Sequence, residues 1–121
     1  MTPMKRVLIV DDDADILESL AVILEDRFET VSAYNGVEAL QALQQQSFHA
    51  VVLDLTMPTM DGETLIEKMR ASGIVVPVVL ASGIADLRQL AERLGVDHVS
   101  KPYDLAALLT KLAIITSDGQ R

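Results

Sequence analysis

The chain has 121 residues, of which 50% are hydrophobic and none is cysteine, and its formal net charge is −8 at pH 7. This length supports one hydrophobic core and is too short for two domains. The lack of cysteine excludes disulfide bonds and thiolate metal sites, and the negative charge argues against binding nucleic acid or an anionic membrane through a basic face.

Five short apolar segments are predicted to be β-strands. Three of them are rich in Val, Leu or Ile at successive positions, as expected for parallel strands that are covered by helices on both faces. The fifth segment has the weakest apolar pattern of the five. In chain order, the predicted strands are residues 7–10, 30–33, 50–53, 78–81 and 98–100.

The stretches between these strands carry apolar residues three and four positions apart, which predicts amphipathic helices. Each stretch follows an Asp or Asn, where a helix N-cap belongs. Asn35 with Glu38 three residues later is similar to a capping box. The predicted N-caps are Asp13, Asn35, Asp61, Asp86 and Asp104, and the fourth helix is predicted to end at Gly95.

Five strands alternating with five helices predict a doubly wound α/β sheet, with right-handed crossovers. The expected strand order is 2-1-3-4-5, which places a binding crevice at the carboxyl ends of strands 1 and 3. We expect one domain over residues 1–116 and a polar, disordered tail over 117–121. No apolar stretch reaches the roughly 20 residues of a membrane span, so a soluble, cytoplasmic protein is expected.

Polar residues follow four of the predicted strands and therefore converge on one edge of the sheet. Asp11, Asp12 and Asp13 follow strand 1, Asp54 follows strand 3, Ser82 follows strand 4 and Lys101 follows strand 5. Each residue has an ordinary alternative: Asp13 as a helix cap, Ser82 as a turn residue, Lys101 as a surface lysine. The convergence of all four strand ends favours a site.

Clustered carboxylates repel one another and are tolerated around a divalent cation, and an all-oxygen ligand set favours Mg²⁺. A carboxylate beside such an ion can attack a phosphoryl group and form an acyl phosphate. Lys101 would supply the positive charge and Ser82 the hydroxyl that the transferred group needs. Neither His49 nor His98 is placed to serve Ser82 as a base, and dinucleotide and P-loop motifs are absent.

Four segments, in this order, resemble the receiver domain of bacterial two-component response regulators. They are Val-Leu-Ile-Val followed by Asp11-Asp12-Asp13, the run from Leu53 to Gly62, Leu-Ala-Ser82-Gly83, and Ser-Lys101-Pro102-Tyr103. The resemblance covers essentially the whole chain. It implies a flavodoxin-like (βα)5 fold, with Asp54 as the phosphoacceptor.

The resemblance also implies the roles of the surrounding residues. Asp12 is similar to the family's direct Mg²⁺ ligand, Asp11 to its partly water-mediated ligand, and the Thr56 carbonyl to the third protein ligand. Ser82 and Lys101 correspond to the phosphate-sensing pair. The peptide bond between Lys101 and Pro102 is expected to be cis, as is typical of the family.

By the same resemblance, the chain accepts a phosphoryl group from a sensor histidine kinase or phosphotransfer protein and then binds an output protein differently. It is expected to be a signalling switch and not an enzyme, with no direct nucleic-acid or membrane contact. No effector domain is expected after residue 121, and output is therefore expected through protein contact. The alternatives are a phosphorylation-independent adaptor with a receiver fold and a haloacid-dehalogenase-type phosphohydrolase, although the second Asp of that motif is missing after Asp54.

Three features depart from the family or vary within it. The segment between Ser82 and Lys101 is shorter by roughly one helical turn, which predicts a trimmed loop or fourth helix. His98 stands where the family usually has Tyr or Phe, so it is either a pH-sensitive switch or a packing histidine. Thr56 and Ile84 occupy the two positions that flank the approach of water to the phosphoryl group, which predicts slow self-dephosphorylation.

Overall fold

The fold is built from strands and helices that alternate along the chain, as predicted. The computed structural model of the protein describes residues 4–117. The elements are β1 (Lys5–Val10), α1 (Ala14–Leu24), β2 (Phe28–Ala33), α2 (Gly36–Gln45), β3 (Ala50–Asp54), α3 (Gly62–Ala71), β4 (Val78–Ser82), α4 (Leu87–Leu94), β5 (Asp97–Ser100) and α5 (Leu105–Ile115).

All strand pairs are parallel, and the strand order is β2-β1-β3-β4-β5. This confirms the predicted doubly wound sheet. The register pairs Val10 with Leu53, Asp54 with Ala81, and Ser82 with Ser100. The residues that end β1, β3, β4 and β5 therefore meet at one edge of the sheet.

The sheet is covered on both faces because successive strand residues point to opposite sides. Residues such as Val7, Ile9 and Val52 pack under α1 and α5. Residues such as Leu8, Leu53 and Leu80 pack under α2, α3 and α4. The continuous apolar runs of β3 and β4 are buried throughout, which holds the polar residues at their ends in fixed positions.

Four of the five predicted N-caps accept a hydrogen bond from a backbone amide of the first helical turn. These are Asp13, Asn35, Asp61 and Asp104, with donor–acceptor distances of 2.8 to 3.1 Å. The capping prediction for Asp86 was wrong. Asp86 precedes α4, but its φ of −101° and ψ of 28° lie outside the extended region that N-cap residues adopt, and its side chain makes no cap hydrogen bond.

Three strands begin earlier than predicted. Backbone pairing of Lys5 with Phe28 and of Arg6 with Glu29 extends β1 and β2 by two residues each, and pairing of Val79 with Asp97 extends β5 by one. With eight residues, α4 is the shortest helix in the described part of the chain, consistent with a trimmed segment, and it ends at Gly95 as predicted. The predicted tail lies outside the described residues, apart from Ser117. None of the helices within residues 4–117 has the length and hydrophobicity needed to cross a membrane.

Candidate functional site

Three carboxylates lie together where β1 and β3 end. Asp11, Asp12 and Asp54 each offer a carboxylate oxygen, and these atoms lie within 4.8 Å of one another. Asp11 is 1% exposed and Asp54 is 5% exposed, whereas Asp12 is exposed to solvent. The adjacency follows from the register, because Asp11 and Asp54 directly follow the paired residues Val10 and Leu53.

Lys101 brings positive charge to this cluster from the turn after β5. Its Nζ lies 2.8 Å from Asp11 Oδ2 and 3.2 Å from Asp54 Oδ1. Its backbone N–H donates to the Ser82 carbonyl over 2.9 Å, which ties the ends of β4 and β5 together. The reading of Lys101 as a surface lysine is therefore wrong, since its side chain is 21% exposed and contacts two buried carboxylates.

The electrostatics of the cluster show a shortage of positive charge. Burial raises the pKa of the Asp54 carboxyl above its ordinary value and the charge of Asp11 raises it further, while Lys101 and the Thr56 amide act in the opposite direction. Burial lowers the pKa of the Lys101 ammonium, but its hydrogen bond to Asp11 and the charges of Asp54 and Asp11 outweigh that effect and raise it. One ammonium does not balance three carboxylates.

The ligand set fits a divalent cation with oxygen preference. Asp11, Asp12 and Asp54 offer only carboxylate oxygens, and the exposed Asp12 leaves the cluster open to solvent. Mg²⁺ favours one or two carboxylates together with water and phosphate oxygens. Thr56 follows this cluster and its backbone N–H donates to Asp54 Oδ1 over 3.4 Å. The role of the Thr56 carbonyl as a further ligand stays a prediction.

Ser82 ends β4 beside the phosphoacceptor candidate. Asp54 pairs with Ala81, so Ser82 lies one residue further toward the carboxyl edge, where it is 5% exposed. Its Oγ accepts a hydrogen bond from the Ile84 amide over 3.2 Å. The bond between Lys101 and Pro102 is cis, as predicted.

His98 is not brought to the carboxylates. It pairs with Leu80, two residues before Ser82 on β4, and lies half-buried in β5. It lines a shallow groove of about 170 Å³ with Ser100, Asp104 and Lys111 among others. A switch role for His98 stays a prediction.

His49 also lies away from Ser82. Its Nδ1 accepts the Arg6 amide hydrogen bond over 3.0 Å, before β3 begins and so at the opposite edge of the sheet. This backbone contact gives His49 a structural role in joining β1 to the start of β3.

The loop after Asp54 contains a residue that the sequence analysis did not single out. Thr59 has a φ of 72°, and the Met60 N–H donates to the Pro58 carbonyl over 2.8 Å. This hydrogen bond and this positive φ define a γ-turn of the rare, strained type, as opposed to the common inverse γ-turn. A β-branched residue is unusual at its centre. Thr59 therefore places local strain between Asp54 and α3.

Replacing Thr59 with Gly is expected to stabilise the protein. Glycine adopts positive φ without a Cβ clash, and strain of this kind costs about 1–3 kcal/mol, so Thr59→Gly should raise the free energy of unfolding by about 1 kcal/mol after the entropic cost of glycine. Urea denaturation measures the change. The matched control is Thr110→Gly, at an exposed position inside α5, which should lower stability. Destabilisation by both variants would contradict the strain at Thr59.

Tyr103 is a second residue whose role the sequence analysis missed. The Lys101 Nζ lies 5.5 Å from the centroid of its ring. Its hydroxyl is buried and has no hydrogen-bond partner among the described residues. Burial raises the pKa of this phenol, and the charges of Asp11 and Asp54 raise it further, so it remains neutral. The only signal in the sequence was its position two residues after Lys101.

Comparison with known proteins adds independent findings. Residues 7–113 match the family described as the response regulator receiver domain. The chain is 37% identical over 115 residues to the transcriptional regulatory protein CpxR homolog of Haemophilus influenzae, covering 93% of this chain and 50% of that protein. It is 36% identical over 111 residues to the transcriptional regulatory protein PrrA of Mycobacterium tuberculosis, covering 88% and 48%.

A crystal structure of a response regulator receiver protein from Pseudomonas putida superposes with a TM-score of 0.83 at 33% identity. That match covers 93% of this chain and 98% of the other. By contrast, the chain spans about half the length of the curated relatives named above.

Proposed function

Because the chain belongs to the response regulator receiver domain family, we propose that it accepts a phosphoryl group on Asp54 and changes its binding to a partner protein as a result. One observation carries the proposal: a buried carboxylate lies among two further carboxylates and one ammonium at the carboxyl edge of the sheet. A cytoplasmic location, as predicted from the sequence, is part of the proposal.

The chemistry begins with attack by an Asp54 carboxylate oxygen on the phosphorus of the donor. The donor is the phosphohistidine of a kinase or phosphotransfer protein. A carboxylate O–P bond forms while the N–P bond of the donor breaks, and the imidazole keeps the electron pair and takes a proton. Asp11 and Asp12 would hold the cation, and bound Mg²⁺ would neutralise charge on the phosphoryl oxygens.

Lys101 and Ser82 would receive the transferred group. The Lys101 ammonium is already 3.2 Å from Asp54 Oδ1 and can donate to a phosphoryl oxygen after small movement. The Ser82 hydroxyl, one residue beyond the strand partner of Asp54, can supply a second donor. Both contacts would form only in the phosphorylated state, so they would bias the molecule toward a different conformation.

The change in conformation would reach the surface through the loops after β4 and β5. The Lys101 amide donates a hydrogen bond to the Ser82 carbonyl, so a shift of either residue moves the start of both the loop after β4 and the loop after β5. A partner that binds the loops, α4 or α5 would sense this shift. We include His98 in this surface as a candidate switch residue, because it lies in β5 between those elements.

Phosphorylation by acetyl phosphate tests the proposal. With Mg²⁺, the wild type should form an adduct that is stable in acid and labile in base, and Asp54→Asn should form none. The matched control is Asp61→Asn, which changes an exposed carboxylate of the same loop and retains a side chain that can cap α3. A folded wild type that takes up no phosphoryl group with Mg²⁺ would favour the adaptor alternative.

The phosphorylated state is expected to persist for minutes or longer. Hydrolysis needs a water in line with the O–P bond, and neither neighbouring side chain is suited to orient it. Thr56 is exposed and short, and Ile84 is 41% exposed and cannot hydrogen bond through its side chain. The decay of phospho-Asp54 measures the lifetime, and the double substitution Thr56→Asn with Ile84→Glu should shorten it.

Val37→Glu is the control for the added charge in that experiment, because Val37 is a 43% exposed apolar residue on α2, outside the site. This variant should decay at the wild-type rate. Decay of the wild type within seconds, or an unchanged lifetime in the double variant, would contradict the role given to Thr56 and Ile84.

A further inference from the structure

Lys101 has contacts of two different kinds around its ammonium. Two are the carboxylates of Asp11 and Asp54, at 2.8 and 3.2 Å. The other is the ring of Tyr103, whose centroid lies 5.5 Å from Nζ. An ammonium within about 6 Å of an aromatic centroid is attracted by the electron-rich face, and the attraction grows when water is excluded.

The position of the Tyr103 ring is set by elements outside the site. Tyr103 packs against the core beneath α1 and α5 and lines a groove with Ile16, Ser19 and Leu20 of α1. These contacts hold the ring at the crevice independently of the charges there. The ring is therefore a fixed surface, whereas the lysine stem has four flexible carbons.

The two kinds of contact differ in what happens to them during phosphoryl transfer. A bound cation would engage the carboxylate of Asp11 and phosphorylation would engage that of Asp54, so both carboxylates would hold Lys101 less strongly. The Tyr103 ring binds no ligand, so its contact with the Lys101 ammonium persists during the transfer. An ammonium held only by the carboxylates would gain rotational freedom at the step where the transferred group needs it.

We infer that Tyr103 is a positioning residue, whose ring face keeps the Lys101 ammonium at the phosphoryl site while the carboxylates are engaged. The inference rests on the proposed phosphorylation of Asp54. It assigns a task to the aromatic ring and none to the hydroxyl, which has no hydrogen-bond partner among residues 4–117. Tyr103→Phe therefore removes no protein hydrogen bond and retains the ring.

The test compares phosphorylation rates with acetyl phosphate at saturating Mg²⁺. Tyr103→Leu should slow the reaction roughly threefold to tenfold, the range expected for losing one cation–π contact. Tyr103→Phe should restore most of the rate. Tyr34→Leu is the matched control, since Tyr34 is 51% exposed outside the site, and it should react as the wild type does.

A double-mutant cycle that combines Tyr103→Leu with Lys101→Ala distinguishes a positioning role of Tyr103 from a packing role. If Tyr103 acts through the ammonium, Tyr103→Leu has no further effect on the rate in the Lys101→Ala background. An equal slowing in both backgrounds, or a wild-type rate in Tyr103→Leu, would overturn the inference. Failure of the wild type to react above the Asp54→Asn blank would instead count against the proposed function itself.

Tyrosine emission provides a second measurement if Tyr103→Leu does not fold. The chain has two tyrosines and no tryptophan, so in Tyr34→Phe the emission comes from Tyr103 alone. Replacing Lys101 with Met in that protein should change the emission, because the ammonium no longer lies over the ring. Unchanged emission would overturn the placement of Lys101 on Tyr103.

Discussion

Lys101→Ala is expected to lower the free energy of unfolding by about 3 kcal/mol in the absence of divalent cations, because it removes one partner of a buried charge cluster. Asp11 and Asp54, which are 1% and 5% exposed in the wild type, would then face each other without the Lys101 ammonium between them. Denaturant titration of both proteins measures the loss. The cost should remain below the total stability of a domain of this size, so the fold is retained.

Mg²⁺ should recover much of this loss, since the cation replaces the missing charge. A ligand at 100 times its dissociation constant adds about 2.7 kcal/mol to stability. The loss should also shrink as the pH falls toward the pKa of Asp54. That pKa is already raised in the wild type, and a protonated Asp54 no longer repels Asp11.

Lys111→Ala is the matched control, because Lys111 pairs with Asp97 over 3.1 Å near the surface, with side-chain exposures of 30% and 40%. Exposed pairs of this kind contribute about 0–1 kcal/mol. Similar losses in the two variants, or no effect of millimolar Mg²⁺ on the melting temperature of Lys101→Ala, would contradict the placement of Lys101 in a cation-binding cluster.

Gly62→Ala is expected to be the most damaging single-methyl change near the site. A Cβ at this position would lie 2.9 Å from the Asp54 carbonyl oxygen and 3.0 Å from the Leu55 Cα, and neither backbone atom can rotate away. The loop would have to move, at a cost of about 1–3 kcal/mol. The Gly62 N–H also donates to the Leu55 carbonyl over 2.9 Å, so the shift would reach Asp54 and slow its phosphorylation.

Urea denaturation and acetyl phosphate labelling together measure the two effects of Gly62→Ala. Gly83→Ala is the stability control, since its Cβ would meet only the Lys101 carbonyl oxygen, at an ordinary contact distance of 3.5 Å. It should change the free energy of unfolding by less than about 1 kcal/mol. Equal stability of Gly62→Ala and the wild type would show that this loop is not packed as described.

The topology and the convergence of the acidic residues were predictable from the sequence, for a geometric reason. Parallel strands place their carboxyl ends at one edge, so an apolar run that ends in Asp predicts where that side chain lies. Asp11 and Asp54 are both placed correctly by this argument. Capping was predictable where the backbone is extended before the helix, and it failed at Asp86, where it is not.

What the sequence did not predict depends on side-chain direction and on individual backbone angles. The convergence of the strand ends placed Lys101 at the site, but its direct pairing with Asp11 depends on the path of the chain after β5. The contact between the Tyr103 ring and the Lys101 ammonium depends on the same path of the chain. The positive φ of Thr59 was not foreseeable, because a β-branched residue disfavours that angle and only the surrounding loop imposes it.

Mapping the phosphorylated residue tests the central claim most directly. The wild type is treated with acetyl phosphate and Mg²⁺, the acyl phosphate is reduced with borohydride, and peptide mass spectrometry locates the homoserine that results. We expect conversion at Asp54 alone, with Asp11, Asp12 and Asp61 left as aspartate. Homoserine at one of those residues in place of Asp54, or none anywhere in a folded, Mg²⁺-loaded protein, would contradict it.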